Sequence, residues 1–432
     1  MRIIIITQRF YPDSFGGSEH VAAEQARYLA RRGHAVTVVT ARMKETLPAF
    51  EDQGSVRIFR YGAPAELEKF GGQTRTALRE VPRVLGEITK LRNYGITSMF
   101  DAAILHHPFA AQGFFSAQGG SGSAGKLPAL YLFHGSAAKE VELEGLQRAL
   151  PFFIEPLRPL LARFFVRMAS RIERQVLTRS TAVGVFSEFS KQLLYSIAPF
   201  TKNRATIIPV GIDQQVFCPA DIGEARARLG LSREGNLLLT VRRFSPRMGI
   251  IELIRAMEIV RRKLPAVRLL IVGEGPLRAS YQKEIARRNL GNTVTLIGAV
   301  PLQDLPLYYQ AADAFVLPTE ALEGLGMATL EALSCGVPVV GTPAGATPEI
   351  LRKLDMSLIT RGTSAPELAE GIMSFLERTP EDKARLRRLA REIVERDYSW
   401  EKAIAGLEEV LNNLCTNYES RTNTTNLFDA HS

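Results

Sequence analysis

The chain has 432 residues, a formal net charge of +9 and 46% hydrophobic residues, the composition of a soluble globular protein too long for one ordinary core. No run approaches the roughly 18 consecutive apolar residues of a membrane-spanning helix, and three scattered cysteines, Cys218, Cys335 and Cys415, argue against a disulfide scaffold or a cysteine metal centre and for a reducing cytoplasm. The first 215 residues carry 27 Lys and Arg against 18 Asp and Glu, whereas the remainder is balanced. An anionic partner is therefore expected for the first half, either a phosphorylated acceptor or an anionic membrane surface. Neither zinc-finger spacing nor an aromatic-rich RNA-binding signature is present, so nucleic acid is not expected.

In chain order, Ile3–Thr7 reads as a buried first strand and Gly17–Arg32 as a helix. Val36–Thr40, Arg57–Tyr61, Ala102–His106, Ala129–His134, Ala182–Ser187 and Ala205–Pro209 follow as strands, with helical periodicity at Ala77–Arg92. Their nearly continuous apolar character suits parallel strands covered on both faces. The basic amphipathic segment Pro159–Arg174 places Leu161, Phe165, Met168 and Ile172, with Leu157 just before it, on one stripe and Arg163, Arg167, Arg171 and Arg174 on another. It can be read as an ordinary domain helix or as a helix that lies on an anionic bilayer.

The pattern restarts after a Pro/Gly-rich linker near Val210–Gly223. Strands are predicted at Leu237–Val241, Arg268–Val272, Thr293–Ile297, Ala314–Leu317 and Val337–Gly341, with helices at Ile250–Lys263, Pro276–Asn289 and Met327–Ser334. Alternating β and α units predict an α/β fold of two doubly wound sheets with right-handed crossovers. The boundaries are 1–215 and 216–398, with a closing helix at about 399–415 packed back on the first domain. The polar tail 416–432 lacks periodicity and is expected to be disordered. Ligands of such sheets sit beyond the carboxyl ends of the strands, so two facing domains would share a cleft.

The most informative stretch runs from Glu320 to Gly341. A strand ends near Pro318, a loop with Gly324 and Gly326 follows, and a helix starts at Met327. Glycines allow close approach of backbone N–H groups to an anion, and a helix start adds favourable partial charge. Glu323 in the loop and Glu331 in the helix could each grip hydroxyl groups of an extended ligand, because a carboxylate accepts several hydrogen bonds. Spacing alone equally allows two solvated glutamates.

Glu323-Gly-Leu-Gly-Met-Ala-Thr-Leu-Glu331 and the following Ala332–Val339 resemble the E-x7-E signature of retaining GT-B glycosyltransferases of family 4. The resemblance extends to Phe10–Glu19, Phe133-His-Gly135, Ile208–Asp213, Ile271–Pro276 and Tyr398–Glu401. It implies a GT-B fold, two Rossmann-like domains facing each other, with the acceptor bound by the first and the nucleotide sugar by the second. It also implies roles. Glu323 would contact the transferred sugar, and Glu331 the ribose. The amides of Leu325, Gly326 and Met327, with Gly324, would lie near sugar or phosphate. Gly16 and Gly17 would approach the donor phosphate, Gly273 and Gly275 would form a Gly-x-Gly-Pro turn at the donor, and His134 would face donor sugar and acceptor.

The family's diphosphate-binding basic pair falls in Val241–Gly249. Its arginine matches Arg243, but its lysine position holds Met248, and a thioether cannot offset a phosphate charge. Arg242 or Arg247 could supply the missing cation, since a guanidinium binds phosphate bidentately; Arg247 is the expected substitute.

The resemblance implies a metal-independent hexosyltransferase that retains anomeric configuration, uses a nucleoside-diphosphate sugar and needs no cofactor. Its acceptor would be a glycan or glycolipid of cell-surface polysaccharide biosynthesis. The catalytic set would be Glu323, His134 and Arg243. The protein is expected in the cytoplasm, peripheral on the inner face of the cell membrane. The alternatives are a GT-B sugar-nucleotide-binding protein with weak transfer, or an epimerase- or phosphorylase-type enzyme.

Overall fold

The aliphatic runs become parallel strands whose side chains are covered on both faces, as their composition requires. The computed structural model describes the chain except residues 13–16, 68–71, 91–98, 119–126, 145–157 and 430–432; the side chains of 67, 72–74, 86–90 and 417–429 are likewise left undescribed. The chain forms two compact units. One comprises Met1–Glu142, Leu150–Val210 and Trp400–Ser432, the other Leu143–Ala149 and Gly211–Ser399.

The first unit is built on β1 (Arg2–Ile6), β2 (Ala35–Ala41), β3 (Phe50–Asp52), β4 (Val56–Tyr61), β5 (Ala102–Leu105), β6 (Ala129–Leu132), β7 (Ala182–Val185) and β8 (Ala205–Ile207). They form one sheet in the order β3-β4-β2-β1-β5-β6-β7-β8. All pairings are parallel apart from β3 with β4. The reading of the sequence lacked β3. It is three residues long, two of them acidic, and exists because Gln53 donates its amide to Val56 across a tight turn. Ile3, Ile4, Ile5 and Ile6 are fully buried at the centre of the sheet.

The helix Trp400–Asp429 closes this unit. Trp400 is buried and stacks on Tyr28 with ring centroids 5.9 Å apart. Leu407 and Leu411 are fully buried, and Glu408 accepts hydrogen bonds from Arg32 and His34, each at 2.7 Å. The helix continues through most of the segment expected to lack order. Polar composition misled there: no Gly or Pro stands beyond Gly406, so nothing in the backbone chemistry stops a helix already nucleated by packing.

The second unit contains β9 (Leu237–Val241), β10 (Arg268–Val272), β11 (Val294–Gly298), β12 (Ala314–Leu317) and β13 (Val339–Gly341). The sheet order is β11-β10-β9-β12-β13, all parallel. The order reverses beside β9, so the carboxyl ends of β9 and β12 lie at the switch point where ligands of such sheets bind. Its core gathers Leu238, Leu239, Leu253, Met257, Phe315, Leu330 and Leu368.

Because Trp400 is the sequence's one tryptophan and sits in the first unit, its fluorescence reports unfolding of that unit. Leu411→Ala is expected to destabilise it by about 2–5 kcal/mol, the usual cost of emptying a fully buried leucine site, read as a lower urea midpoint of the Trp400 signal.

Candidate functional site

In the second unit the end of β12 leads through Pro318 and Thr319 into the loop that carries Glu323. The Glu323 side chain is 10% exposed, and a carboxylate buried so far needs a partner. Arg242, just past the end of β9, supplies it: its guanidinium pairs with Glu323 Oε2 and also donates to Thr319 Oγ1. Thr319 donates to the same Oε2 at 3.0 Å. All three contacts thus hold one oxygen or its neighbour, while Oε1 faces the Gly326 side of the loop.

Backbone geometry tightens this arrangement. Leu322 has φ of +55°, a left-handed conformation that costs an L-residue about 1–2 kcal/mol. Its carbonyl accepts from Arg247 Nη1 at 3.1 Å, which helps hold it. Gly345, with φ of +63°, packs so closely that a Cβ there would stand 2.2 Å from the Glu323 carbonyl oxygen, so no other residue fits. Gly273 is equally constrained from the other side, where a Cβ would stand 1.8 Å from the Arg242 carbonyl; Gly275 backs onto Phe244. The predicted Gly-x-Gly turn therefore braces the segment that carries the arginines.

The helix Met327–Ser334 starts from Gly326 with no side-chain cap, so the first-turn amides keep their partial positive charge for a ligand. Gly324, Leu325, Gly326 and Met327 lie together in this loop and helix start, as predicted. Glu331, one helix turn on, is 9% exposed and accepts from the Tyr309 hydroxyl at 2.7 Å. Burial, with the Glu331 carboxylate beside it, raises the Tyr309 phenol well above its ordinary range, so Tyr309 remains a donor at any working pH. Tyr309, Thr319 and Gly345 were not singled out from sequence. None stands in a motif, and only the fold brings them to the glutamates.

The three arginines of Val241–Gly249 divide. Arg242 is taken up by Glu323 and Thr319. Arg243 and Arg247 instead converge on Glu144, from the short segment that clusters with this unit. Arg243 Nη2 lies 3.1 Å from both Glu144 oxygens, Arg247 Nε 2.8 Å from Oε1, and Ser245 Oγ 3.0 Å from Oε1. The two guanidinium groups and one hydroxyl hold an anion here, a carboxylate where a phosphate was expected. Met248 is 7% exposed and belongs to the hydrophobic core. Its position faces the interior, which is why the absent lysine leaves no gap in the basic cluster.

In the first unit, β5, β6 and β7 are neighbours, and their carboxyl ends bring His106, His134 and Phe186 into a row. His134 Nε2 lies 3.0 Å from His106 Nδ1, and its ring packs on Phe186 with centroids 4.8 Å apart. Burial holds the imidazole of His134 down at about 3 and that of His107 at about 4, and pushes that of His106 well below its ordinary value. All three are neutral near pH 7. The Glu173 carboxyl, buried and pushed up to about 7, accepts from Ser136 Oγ at 2.9 Å and braces the turn after His134. Gly17 opens the helix Gly17–Arg31 and is exposed; Gly16 lies outside the described residues.

The helix Arg158–Arg179 buries Ala169, Ile172, Glu173, Val176 and Leu177. The sequence stripe ending at Ile172 therefore faces inward; its first member, Leu157, lies outside the described residues. On the outer side Leu160 is 66% and Phe164 61% exposed, alongside exposed Arg163, Arg167, Arg171 and Arg174. Among the described residues no helix is long and apolar enough to cross a membrane, and no group of His, Cys, Asp and Glu is arranged to hold a metal.

Residues 15–216 match the family described as Glycosyltransferase Family 4, and residues 221–393 match Glycosyl transferases group 1. A D-inositol 3-phosphate glycosyltransferase of Segniliparus rotundus is 30% identical over 59% of this chain and 54% of its own length. A GDP-mannose-dependent alpha-(1-6)-phosphatidylinositol monomannoside mannosyltransferase of Mycolicibacterium smegmatis is 31% identical over 39% of this chain and 46% of its own. The chain thus spans about half the length of these curated relatives. Among solved structures, sucrose-phosphate synthase of Thermosynechococcus elongatus matches with a TM-score of 0.76 at 19% identity, over 96% of this chain and 99% of that one. An Anabaena protein, HepE, solved with UDP and glucose, matches with a TM-score of 0.68 at 19% identity, over 95% and 99%. At such identities the likeness shows the fold alone.

Two doubly wound parallel sheets, the second ending in a glycine loop with paired buried carboxylates, define a GT-B protein. The chain belongs to glycosyltransferase family 4.

The placement of Met248 yields a test. Met248→Lys puts an ammonium group in the core. It is expected to destabilise the second unit by about 2–4 kcal/mol without tightening binding of a nucleoside diphosphate, as read by thermal unfolding and calorimetry.

Proposed function

We propose that this chain transfers a hexose from a nucleoside-diphosphate sugar to a hydroxyl of a phosphorylated or lipid-linked acceptor, with retention of anomeric configuration. The observation that carries the reading is the Glu323 carboxylate. Arg242 and Thr319 immobilise Oε2 and so orient Oε1 beside the uncapped helix start at Gly326 and Met327. A fixed acceptor oxygen next to unspent amide donors suits a sugar joined to a diphosphate. Glu331, oriented by Tyr309, suits the ribose hydroxyls. The names of relatives support the donor class, since several are GDP-mannose-dependent, and HepE was crystallised with UDP-glucose.

In this reading the bond between the sugar's anomeric carbon and the diphosphate oxygen breaks, and positive charge develops on the sugar. Arg243, Arg247 and Ser245 offset the charge of the departing diphosphate, exchanging Glu144 for phosphate. Fixed donors of this kind act without reorganisation. The acceptor hydroxyl attacks the same face to form the new glycosidic bond, and its proton passes to the leaving phosphate. The family resemblance would give His134 a contact with sugar or acceptor. The reaction as proposed requires no metal, because guanidinium groups and helix amides carry the electrostatic load.

Turnover of UDP-, GDP- and ADP-hexoses is the direct test, with GDP-mannose tried first. Glu323→Gln keeps the shape but loses the charge, and is expected to lower kcat by about 100-fold or more while leaving nucleoside diphosphate affinity within a few-fold. Chelation with EDTA is expected to leave the rate unchanged, and the product should keep the donor's anomeric configuration by NMR. Absence of turnover with every donor in the presence of phosphorylated inositol and glycolipid acceptors would sink the reading.

We further propose that the first unit docks on the anionic inner face of the cell membrane, where it meets acceptors of cell-surface glycan synthesis. Support comes from the outer face of Arg158–Arg179, where two exposed apolar side chains stand among four arginines, and from the charge excess of the first half. Apolar insertion and basic attraction together are what interfacial helices use. Flotation with phosphatidylglycerol-containing vesicles but not with neutral ones is expected. Leu160→Glu with Phe164→Glu should abolish it; equal flotation of wild type and variant would refute the surface.

A further inference from the structure

We propose that His106 is a positioning residue for His134, holding its ring by an imidazole–imidazole hydrogen bond and fixing which of its nitrogens meets the ligand. The inference rests on the transferase reading only in supposing that His134 faces substrate; the hydrogen bond itself stands on geometry.

The two histidines leave the ends of adjacent strands, and the backbone amide of His106 is tied to the Ile6 carbonyl at 2.9 Å. His106 Nδ1 and His134 Nε2 are 3.0 Å apart, with ring centroids 5.2 Å apart and planes inclined by 29°. His106 is 3% exposed. Phe186 packs on His134 as well. The ring of His134 is therefore held between two aromatic neighbours, and its Nε2 is committed to His106. Nδ1 is left as the nitrogen that can address a ligand.

The proton inventory then decides what Nδ1 offers. A neutral imidazole carries one N–H and one lone pair, and burial keeps both rings neutral. One proton lies between them. If His134 donates from Nε2, the N–H of His106 must sit on its own Nε2, which is buried without a hydrogen-bond partner among the described residues. An orphaned buried N–H is the rarer and costlier arrangement, since an unused lone pair is better tolerated than an unused donor. The reverse assignment avoids it: His106 donates from Nδ1, His134 accepts at Nε2, and His134 carries its proton on Nδ1. His134 thus presents a donor to the substrate. It orients a sugar or acceptor oxygen and does not serve as a general base, which agrees with the proton of the acceptor passing to the leaving phosphate. A second histidine beside a candidate site histidine is usually read as a metal or acid–base pair; here the second ring serves to set a tautomer.

The test combines spectroscopy and kinetics on the full chain with isotope-labelled histidine rings. Wild type is expected to show His134 as the Nδ1–H tautomer. His106→Leu should shift it to a mixture or to Nε2–H, while His106→Gln, whose amide can still donate to Nε2, should preserve it. With an active donor and acceptor pair, His106→Leu is expected to lower kcat by roughly 100-fold, as misplacement of an orienting group does, and His106→Gln to recover most of the loss, with nucleoside diphosphate affinity unchanged in both. Nε2–H at His134 in wild type overturns the assignment, as does an unaltered His134 in His106→Leu. If His106→Leu does not fold, the wild-type tautomer and His106→Gln still decide. A chain that turns over no donor yet shows the expected tautomers would refute the transferase reading and leave the His106 assignment standing.

Discussion

The second unit depends on one requirement, that a carboxylate nearly removed from water must be paired. Glu323 meets it through Arg242 and Thr319, and much of the surrounding chain is organised to keep that pairing. Gly273 lets a neighbouring turn approach the Arg242 backbone, and Gly345 lets another approach that of Glu323. The strained Leu322 sets the loop's direction, and Arg247 anchors it. Breaking a buried pair by removing one partner costs more than the pair contributes, so this cluster is stiff. That stiffness suits it to orient a ligand oxygen.

The same economy governs the arginines. Three within the six residues 242–247 look interchangeable, yet each has a different partner set. Arg242 neutralises a carboxylate from its own sheet edge, Arg247 spans Glu144 and the Leu322 carbonyl, and Arg243 is half exposed and only bridges to Glu144. The exposed member, Arg243, contributes little to stability. The Glu144 carboxylate balances the two guanidinium groups that converge on it.

In the first unit the corresponding edge is kept neutral. His106 is buried there and His107 and His134 are partly buried, and removal from water disfavours their charged forms. The excess formal charge of this half lies partly along the outer face of the helix Arg158–Arg179, where Arg163, Arg167, Arg171 and Arg174 are exposed.

The α/β class, the two sheets and the position of the glycine loop are legible in the residues alone, because they follow from local hydrophobic period and backbone permissiveness. It also marked Glu323, Glu331 and the arginine stretch, through a contiguous pattern and family resemblance. It missed β3, whose pairing rather than its composition makes it a strand, and the order in the last helix, which packing extends past a polar tail. It could not assign partners: Tyr309 to Glu331, Thr319 and Arg242 to Glu323, or His106 to His134. Nor could it show that Met248 points into the core. Those outcomes depend on which strand ends become neighbours and which face of a turn is buried. They are long-range consequences of sheet order, fixed only when the chain folds.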